Sequence, residues 1–395
     1  MFARLRLLLF AGIGGALTGL ISFAFLRSLD WATRTRIAHG WLVWSLPAAG
    51  LLVGATYHYL GGRGKGGTPA VIEQAHLFTE GVPARMAPMI FGGSVVGHLA
   101  GASVGREGAA LQMASSVTDS AARLGRLSAE DRRTLIAASL AGGWGAVFGV
   151  PFTGVAFMLQ VTRRHRWRAL LPAAVSAFTG RLVVDELGYE MSYRPHIPAP
   201  AWTIGLPAKL LLAGVAFGLV ARAFVWLLQW VKTRTAYSVK WPPARPIVGG
   251  IATLALMGML GRGYLGLSSP LVTTAFSGAH VDWWVPLVKL LFTAVALGTG
   301  FVGGEVAPLF VMGSTLGGAI APGLHVPAPL LATTGSAAAF AASASVPLTG
   351  VVLTVEQFGW NTLVPALLVA VTARAVAGKP GLYVAHHRPR HWPHR

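Results

Sequence analysis

The chain repeats itself. Pro151-Phe-Thr-Gly-Val-Ala-Phe-Met-Leu-Gln160 is matched by Pro347-Leu-Thr-Gly-Val-Val-Leu-Thr-Val-Glu356, and Gly105-Arg-Glu-Gly-Ala-Ala-Leu111 by Gly303-Gly-Glu-Val-Ala-Pro-Leu309. Pro88 falls against Pro286 and Pro47 against Pro246, so order is kept at a spacing of 196 to 199 residues. Paired halves of this kind build many membrane-embedded folds, often with the second half inverted in the bilayer.

The composition demands a membrane. Hydrophobic residues make up 54% of the chain and charged residues 11%, against about 25% charged in soluble proteins. The mean hydropathy is +0.60. A helix needs about 20 apolar residues to span a bilayer. Of the apolar runs at 7–26, 41–60, 87–105, 134–161, 169–184, 205–231, 246–260, 285–322, 328–355 and 361–378, several exceed one span and some fall short. The expected fold is therefore an all-α polytopic membrane protein with broken or re-entrant helices, which survive only where protein or a cavity covers the freed backbone. Fifty glycines and 24 prolines permit such breaks. The lack of cysteine excludes disulfides and thiolate metal sites.

The net charge of +19 would suggest nucleic acid in a soluble chain. Here the arginines flank apolar spans, so they read as the positive-inside signal, with no nucleic-acid partner. Met1-Phe-Ala-Arg-Leu-Arg6 leads into an apolar run without a small-residue cleavage site and reads as a retained first span. The proline-rich polar stretch 190–207 reads as a linker. The expected division is 1–200 for the first repeat with its linker, 201–380 for the second, and 381–395 for a basic, histidine-rich tail. Loop charge supports inversion: 162–168 is strongly basic and its counterpart 357–362 is not, and 123–133 differs likewise from 325–329. One pair disagrees, because 27–36 and 232–245 are both basic.

The chain has 13 acidic residues, and one of them, Glu107, stands between Arg106 and Gly108 inside an apolar region. Insertion scales put an acid at a helix centre at roughly 2.5–3.5 kcal/mol, so such a group faces a water path, a partner or an ion. Three glycine-rich segments, 64–73, 105–108 and 300–308, each introduce an apolar run. Half-helices opening there would aim three positive dipole ends at one anion, and backbone donors hold an anion without preventing its release. A titratable acid beside an anion site is the core of anion–proton exchange.

Each of these residues also has a plain structural reading. Glu107 and Arg106 are adjacent, and neighbours on a helix do not face each other. Glu305 is the repeat partner of Glu107 and reads as structural more than as a second proton group. Glu73 and Glu356 each read equally as buried network members or as functional acids, His98 reads as a satisfied core histidine, and Thr68 as a helix cap. Gly61-Gly-Arg-Gly-Lys-Gly-Gly-Thr68 lacks the Gly-Lys-Ser/Thr of a phosphate loop. An intramembrane hydrolase would need a nucleophile–base pair near Ser103 or Ser343, and no spacing supplies one.

Taken in order over residues 40–385, these motifs resemble the CLC family of anion channels and transporters. Gly105-Arg-Glu-Gly108 is similar to its gating-glutamate motif and Val302-Gly-Gly-Glu-Val-Ala-Pro308 to its second anion-binding motif. Residues 64–73 stand where the first belongs, and Gly378-Lys-Pro-Gly-Leu-Tyr383 resembles the segment carrying the central tyrosine. The resemblance implies a homodimer in the cell membrane, the inner membrane in a bacterium, with one pore per subunit of two inverted repeats. It implies a halide anion and protons as the transported species, no cofactor or metal and no enzymatic activity. No regulatory cytoplasmic domain is expected beyond residue 385. Glu107 would be the gate and proton carrier. Gly67, Thr68, Arg106, Gly108, Glu305, Val306, Ala307 and Tyr383 would line the anion path, with Glu305 open to a coupling role.

Residues 85–88, 98–99, 105–113 and 303–306 are most similar to the fluoride–proton branch. The inner proton-transfer glutamate of chloride antiporters falls here at Val161. Ala307 and Thr68 depart from that branch, which has threonine at the first position and asparagine or methionine at the second. A chloride-selective channel or chloride–proton antiporter is the alternative.

Overall fold

The computed structural model describes residues 2–162, 166–190, 195, 197–378 and 381–383. Among them are sixteen α-helices, eight in each half. The first half has α1 Phe2–Ala38, α2 Leu46–Leu60, α3 Gly67–His76, α4 Met86–Ala100, α5 Glu107–Leu124, α6 Ala129–Phe148, α7 Pro151–Val161 and α8 Arg166–Glu186. The second has α9 Leu206–Ser238, α10 Arg245–Leu260, α11 Ser269–Phe276, α12 Val285–Thr299, α13 Val306–Leu324, α14 Ala328–Ala344, α15 Pro347–Phe358 and α16 Leu363–Ala377. Among the described residues, six spans are long and apolar enough to cross a membrane. The short α3, α7, α11 and α15 are the broken helices that the uneven apolar runs require.

Local chemistry sets the breaks in matched places. α4 stops at Gly101 (φ +98°) and α12 at Gly300 (φ +110°), a left-handed turn that glycine adopts without a side-chain clash. Pro151 and Pro347 open α7 and α15, where a missing N–H costs nothing.

The halves are inverted, as equivalent helices meeting antiparallel show. Near the start of α2, Gly50 lies against Pro246 O at the start of α10, while Gly250 lies against Pro47 and Gly54 against Pro243. α7 and α15 exchange end caps. Glu356, in the last turn of α15, accepts from Phe152 N (3.0 Å), Thr153 N (2.7 Å) and Thr153 Oγ1 (2.6 Å). Gln160, in the last turn of α7, accepts from Thr349 N and Oγ1, both at 2.7 Å. Each side chain thus satisfies N–H groups that a helix start leaves open. Glu356 is a network member, whereas Glu73 is exposed.

Helices α6 and α14 form the centre. Their small residues let backbones approach closely, with Gly145 on Ala177 O and Gly335 on Gly313 O. The repeats meet through Trp144 and Phe340 (centroids 5.4 Å apart), with Phe157 and Phe310 packed around them. Residues 381–383, assigned above to the tail, dock into the body: Leu382 N donates to Ser343 O (2.8 Å), and Tyr383 is buried. The histidines of the tail, His386, His387, His391 and His394, lie outside the described residues.

Candidate anion site

Three helices begin around one point. α3 opens at Gly67-Thr68, α5 at Glu107-Gly108 and α13 at Val306-Ala307. The lead-ins of α5 and α13 pair across the repeat axis: Gly105 N donates to Gly304 O (2.6 Å) and Gly304 N to Gly105 O (2.7 Å). A Cβ on Gly304 would stand 2.5 Å from Gly108 N, and one on Gly105 2.8 Å from Glu107 Oε2. Only glycine permits this approach. Three positive helix ends therefore converge, as the glycine pattern predicts.

Glu107 is 3% exposed. Its Oε2 accepts from Ala307 N (2.9 Å) and Arg106 N (3.1 Å), so the carboxylate of one repeat rests on the helix start of the other. Charge-assisted bonds of this kind are roughly twice as strong as neutral ones. Arg106 Nε stands 3.6 Å from Glu107 Oε1. This corrects the expectation that the two side chains do not meet. Arg106 is the N-cap (φ −110°), outside the helix, so the helical rule for adjacent residues does not apply.

The other predicted residues gather beside it. Glu305, the N-cap of α13, accepts from the Tyr383 hydroxyl at 2.6 Å. Tyr383 is 2% exposed, edge-on to Phe157. Thr68 makes no side-chain cap; its hydroxyl donates to Gly108 O (3.4 Å) instead. Val306 is fully buried. Gly67 takes φ +62° beside the amide of Gln112. His98 is satisfied only at Nδ1, by Ser94 O (2.8 Å), and its Nε2 has no partner among the described residues, which corrects its reading as a satisfied core histidine.

Cavities reach the site from both faces. One of ≈ 150 Å³ is lined by Arg106, Glu107, Ala307, Phe148, Phe310 and Ser336. Another, of ≈ 540 Å³, is lined by Gly67, Gln112 and Gly303 together with Lys65, Lys232 and Arg245.

Two residues escaped sequence reasoning. Gln112, one turn beyond Gly108, donates to Thr68 Oγ1 (3.4 Å); its polarity inside an apolar run was the available signal. Lys289 is fully buried, and as a lone cation in the run 285–322 it was also visible. Its ammonium donates to Ser103 Oγ (2.9 Å), Ser268 Oγ (2.9 Å), Gly266 O (2.7 Å) and Tyr264 O (3.2 Å). Sequence separation hid this serine–lysine contact, but it is no hydrolytic pair. Both groups are fully buried, out of reach of a hydrolytic substrate.

Residues 49–378 match the voltage gated chloride channel family. The chain is 37% identical over 403 residues to the "Chloride/fluoride channel protein" of Pseudomonas syringae pv. tomato, covering 96% of this chain and 87% of that one. It is 27% identical to the "H(+)/Cl(-) exchange transporter ClcA" of Klebsiella pneumoniae, covering 95% and 87%. A solved CLC-type fluoride/proton antiporter superposes with a TM-score of 0.94 at 29% identity, covering 98% of each chain. A slow cyanobacterial Cl−/H+ antiporter superposes at 0.81 with 22% identity over 94% of each chain, a likeness of fold. The molecule is a multi-pass membrane protein of inverted-repeat architecture. It belongs to the CLC, or voltage gated chloride channel, family.

Proposed function

We propose that the chain is a fluoride–proton antiporter of the CLC type, exporting fluoride across the cell membrane, with Glu107 as both gate and proton carrier. The observation that carries this reading is the Glu107 carboxylate on the start of α13, bonded to Ala307 N and Arg106 N. An acid that already occupies an anion's place competes with that anion when ionised and releases the place when protonated. Gly67, Thr68, Gly108, Val306, Ala307 and Tyr383 then line the vacated path, and Glu305 holds the Tyr383 hydroxyl in place. The working unit spans both repeats, 1–200 and 201–380, with Tyr383 added from the segment beyond them. We take it to be a homodimer with one pore per subunit, without enzymatic activity.

Fluoride is favoured by the kinship to a fluoride/proton antiporter and by Val161, which cannot carry a proton at the inner position. The "Chloride/fluoride channel protein" of P. syringae keeps a second reading, a passive channel, open. Reconstitution into liposomes with opposed fluoride and chloride gradients, while proton movement is recorded, separates them. The antiporter drives protons uphill on a fluoride gradient, and Glu107→Gln abolishes that coupling. Coupled flux surviving Glu107→Gln would refute the mechanism, and equal chloride flux would refute the selectivity.

A further inference from the structure

One pair of loops broke the positive-inside pattern, and the structure shows which member is the exception. Arg6 donates to Gly125 O, and Arg168 pairs with Glu130 and Asp131, so loop 123–133 shares a face with the start of α1. Gly54, late in α2, lies against Pro243, which puts loop 232–245 on the same face. The basic excess makes that face cytoplasmic. Arg27, Arg34 and Arg36, at the far end of α1, therefore lie on the outer face, where orientation requires no arginine. With Arg262 they line a cavity of ≈ 900 Å³. It shares Leu267 and Ser269 with the cavity that holds Arg106 and Glu107.

The wall of this cavity carries more positive charge than its own acids offset. Asp30 and Glu190 line it, Asp30 accepting from Tyr189 OH (3.0 Å). Against them stand four arginines and, just behind Ser268, the ammonium of Lys289, whose four partners are all neutral oxygens. Arg36 lies beside Gly266, next to that ammonium, and its Nε is buried without a partner among the described residues. Arg27, Arg34 and Arg262 are exposed and hydrated, whereas Arg36 is half-buried and Lys289 fully buried; a charge taken out of water without a partner is costly until an anion completes it.

We propose that this cavity is an outer anion-capture site. A small inorganic anion sits between Arg36 and Arg262, against the wall formed by Ser268 and Lys289. It then passes Arg106 to the position that the Glu107 carboxylate occupies. The inference rests on the transport reading above and adds a second anion position to it.

The test uses Arg36→Gln and Arg36→Lys; neither removes a hydrogen bond seen in the fold. Flux is measured in oriented proteoliposomes with fluoride varied on one side at a time. In Arg36→Gln the outer fluoride concentration for half-maximal flux rises roughly five- to tenfold, the scale of one charge in a partly hydrated site. Its inner counterpart stays unchanged, and Arg36→Lys stays within about twofold of wild type. Line broadening of free fluoride by the purified protein, read by fluorine NMR, falls in Arg36→Gln whether or not transport is coupled, so the site is judged apart from the transport reading. An outer half-saturation and a line width that both ignore Arg36→Gln overturn the proposal. So does an effect of Arg36→Gln seen only in vesicles containing phosphatidylglycerol, which would make these arginines a lipid-phosphate contact.

Discussion

The exchange of caps between α7 and α15 makes a quantitative prediction at Glu356. In Glu356→Ala, Phe152 N, Thr153 N and Thr153 Oγ1 lose their acceptor inside the membrane-embedded contact. In soluble proteins an orphaned buried donor costs about 1–3 kcal/mol. Double-mutant cycles in a membrane protein average about 0.6 and reach about 1.7 kcal/mol per hydrogen bond. The membrane scale is the relevant one, and the charged acceptor places the three bonds toward its upper end, so the loss is about 3–5 kcal/mol. Glu356→Gln behaves differently. Glu356 Oε2 serves Thr153 N and Oγ1, the same pair of atoms that Gln160 Oε1 serves on Thr349. A glutamine at 356 therefore keeps two bonds and loses the one to Phe152 N, costing about 1 kcal/mol. Thermal unfolding of the detergent-solubilised protein reads the difference. At about 1–3 °C per kcal/mol for a chain of this size, Glu356→Ala melts several degrees lower, while Glu356→Gln stays within about 3 °C and keeps full proton-coupled flux. If Glu356→Gln melts like wild type but loses coupling, Glu356 carries protons, and its assignment as a cap is wrong.

Four further outcomes follow from the geometry. Gly304→Ala places a methyl 2.5 Å from Gly108 N, a backbone atom with nowhere to retreat, so the α5–α13 junction opens and flux falls at least tenfold, measured by fluoride efflux. Tyr383→Phe removes the donor to Glu305 Oε1 and, at about 1–3 kcal/mol for a buried acceptor, lowers flux roughly five- to hundredfold with the fold intact by size-exclusion chromatography. Lys289→Met leaves Ser103, Ser268 and two carbonyls short of their donor and lowers the melting temperature by several degrees, whereas Lys289→Arg restores part of it. In Glu107→Gln residual anion flux becomes independent of pH between about 5 and 8, because the gating group no longer titrates; a retained pH profile assigns the gate to another residue.

The repeat and its glycines make most of the candidate site legible in the sequence. Matched motifs place Gly105 and Gly304 at equivalent positions, and the structure joins them in one bridge. Pro47 and Pro246 mark equivalent positions of the repeat; they fall in the first turns of α2 and α10, whose side-by-side packing follows from the axis between the halves. Other contacts lay outside what a sequence exposes. Glu107 and Ala307 are 200 residues apart, and their hydrogen bond exists only because two helix starts converge. The rule for helical neighbours does not reach Arg106, because that residue precedes the helix. Lys289 went unread because a lone lysine in an apolar run gives no sign of which oxygens will receive it.

The same geometry bears on how protons could cross with a valine at 161. An ionised Glu107 holds two backbone N–H bonds and an arginine 3.6 Å away. An incoming anion must displace the carboxylate and take over both bonds, each of the charge-assisted kind worth about 1.5–3 kcal/mol, together with the attraction of the arginine. Protonation weakens the carboxyl's hold on those donors at the moment they are needed for the anion. Coupling then requires no relay of acids through the inner half, only that this one carboxyl exchange places with the anion and meet water on each side. Cavities lie on both faces, one bounded by Arg106, Glu107 and Ala307, the other by Gly67, Gln112 and Gly303. Between them stand the junction of Gly105 with Gly304 and the hydroxyl of Tyr383 on Glu305. Thr68, whose hydroxyl donates to Gly108 O at 3.4 Å, adjoins Gly67 in the wall of the second cavity.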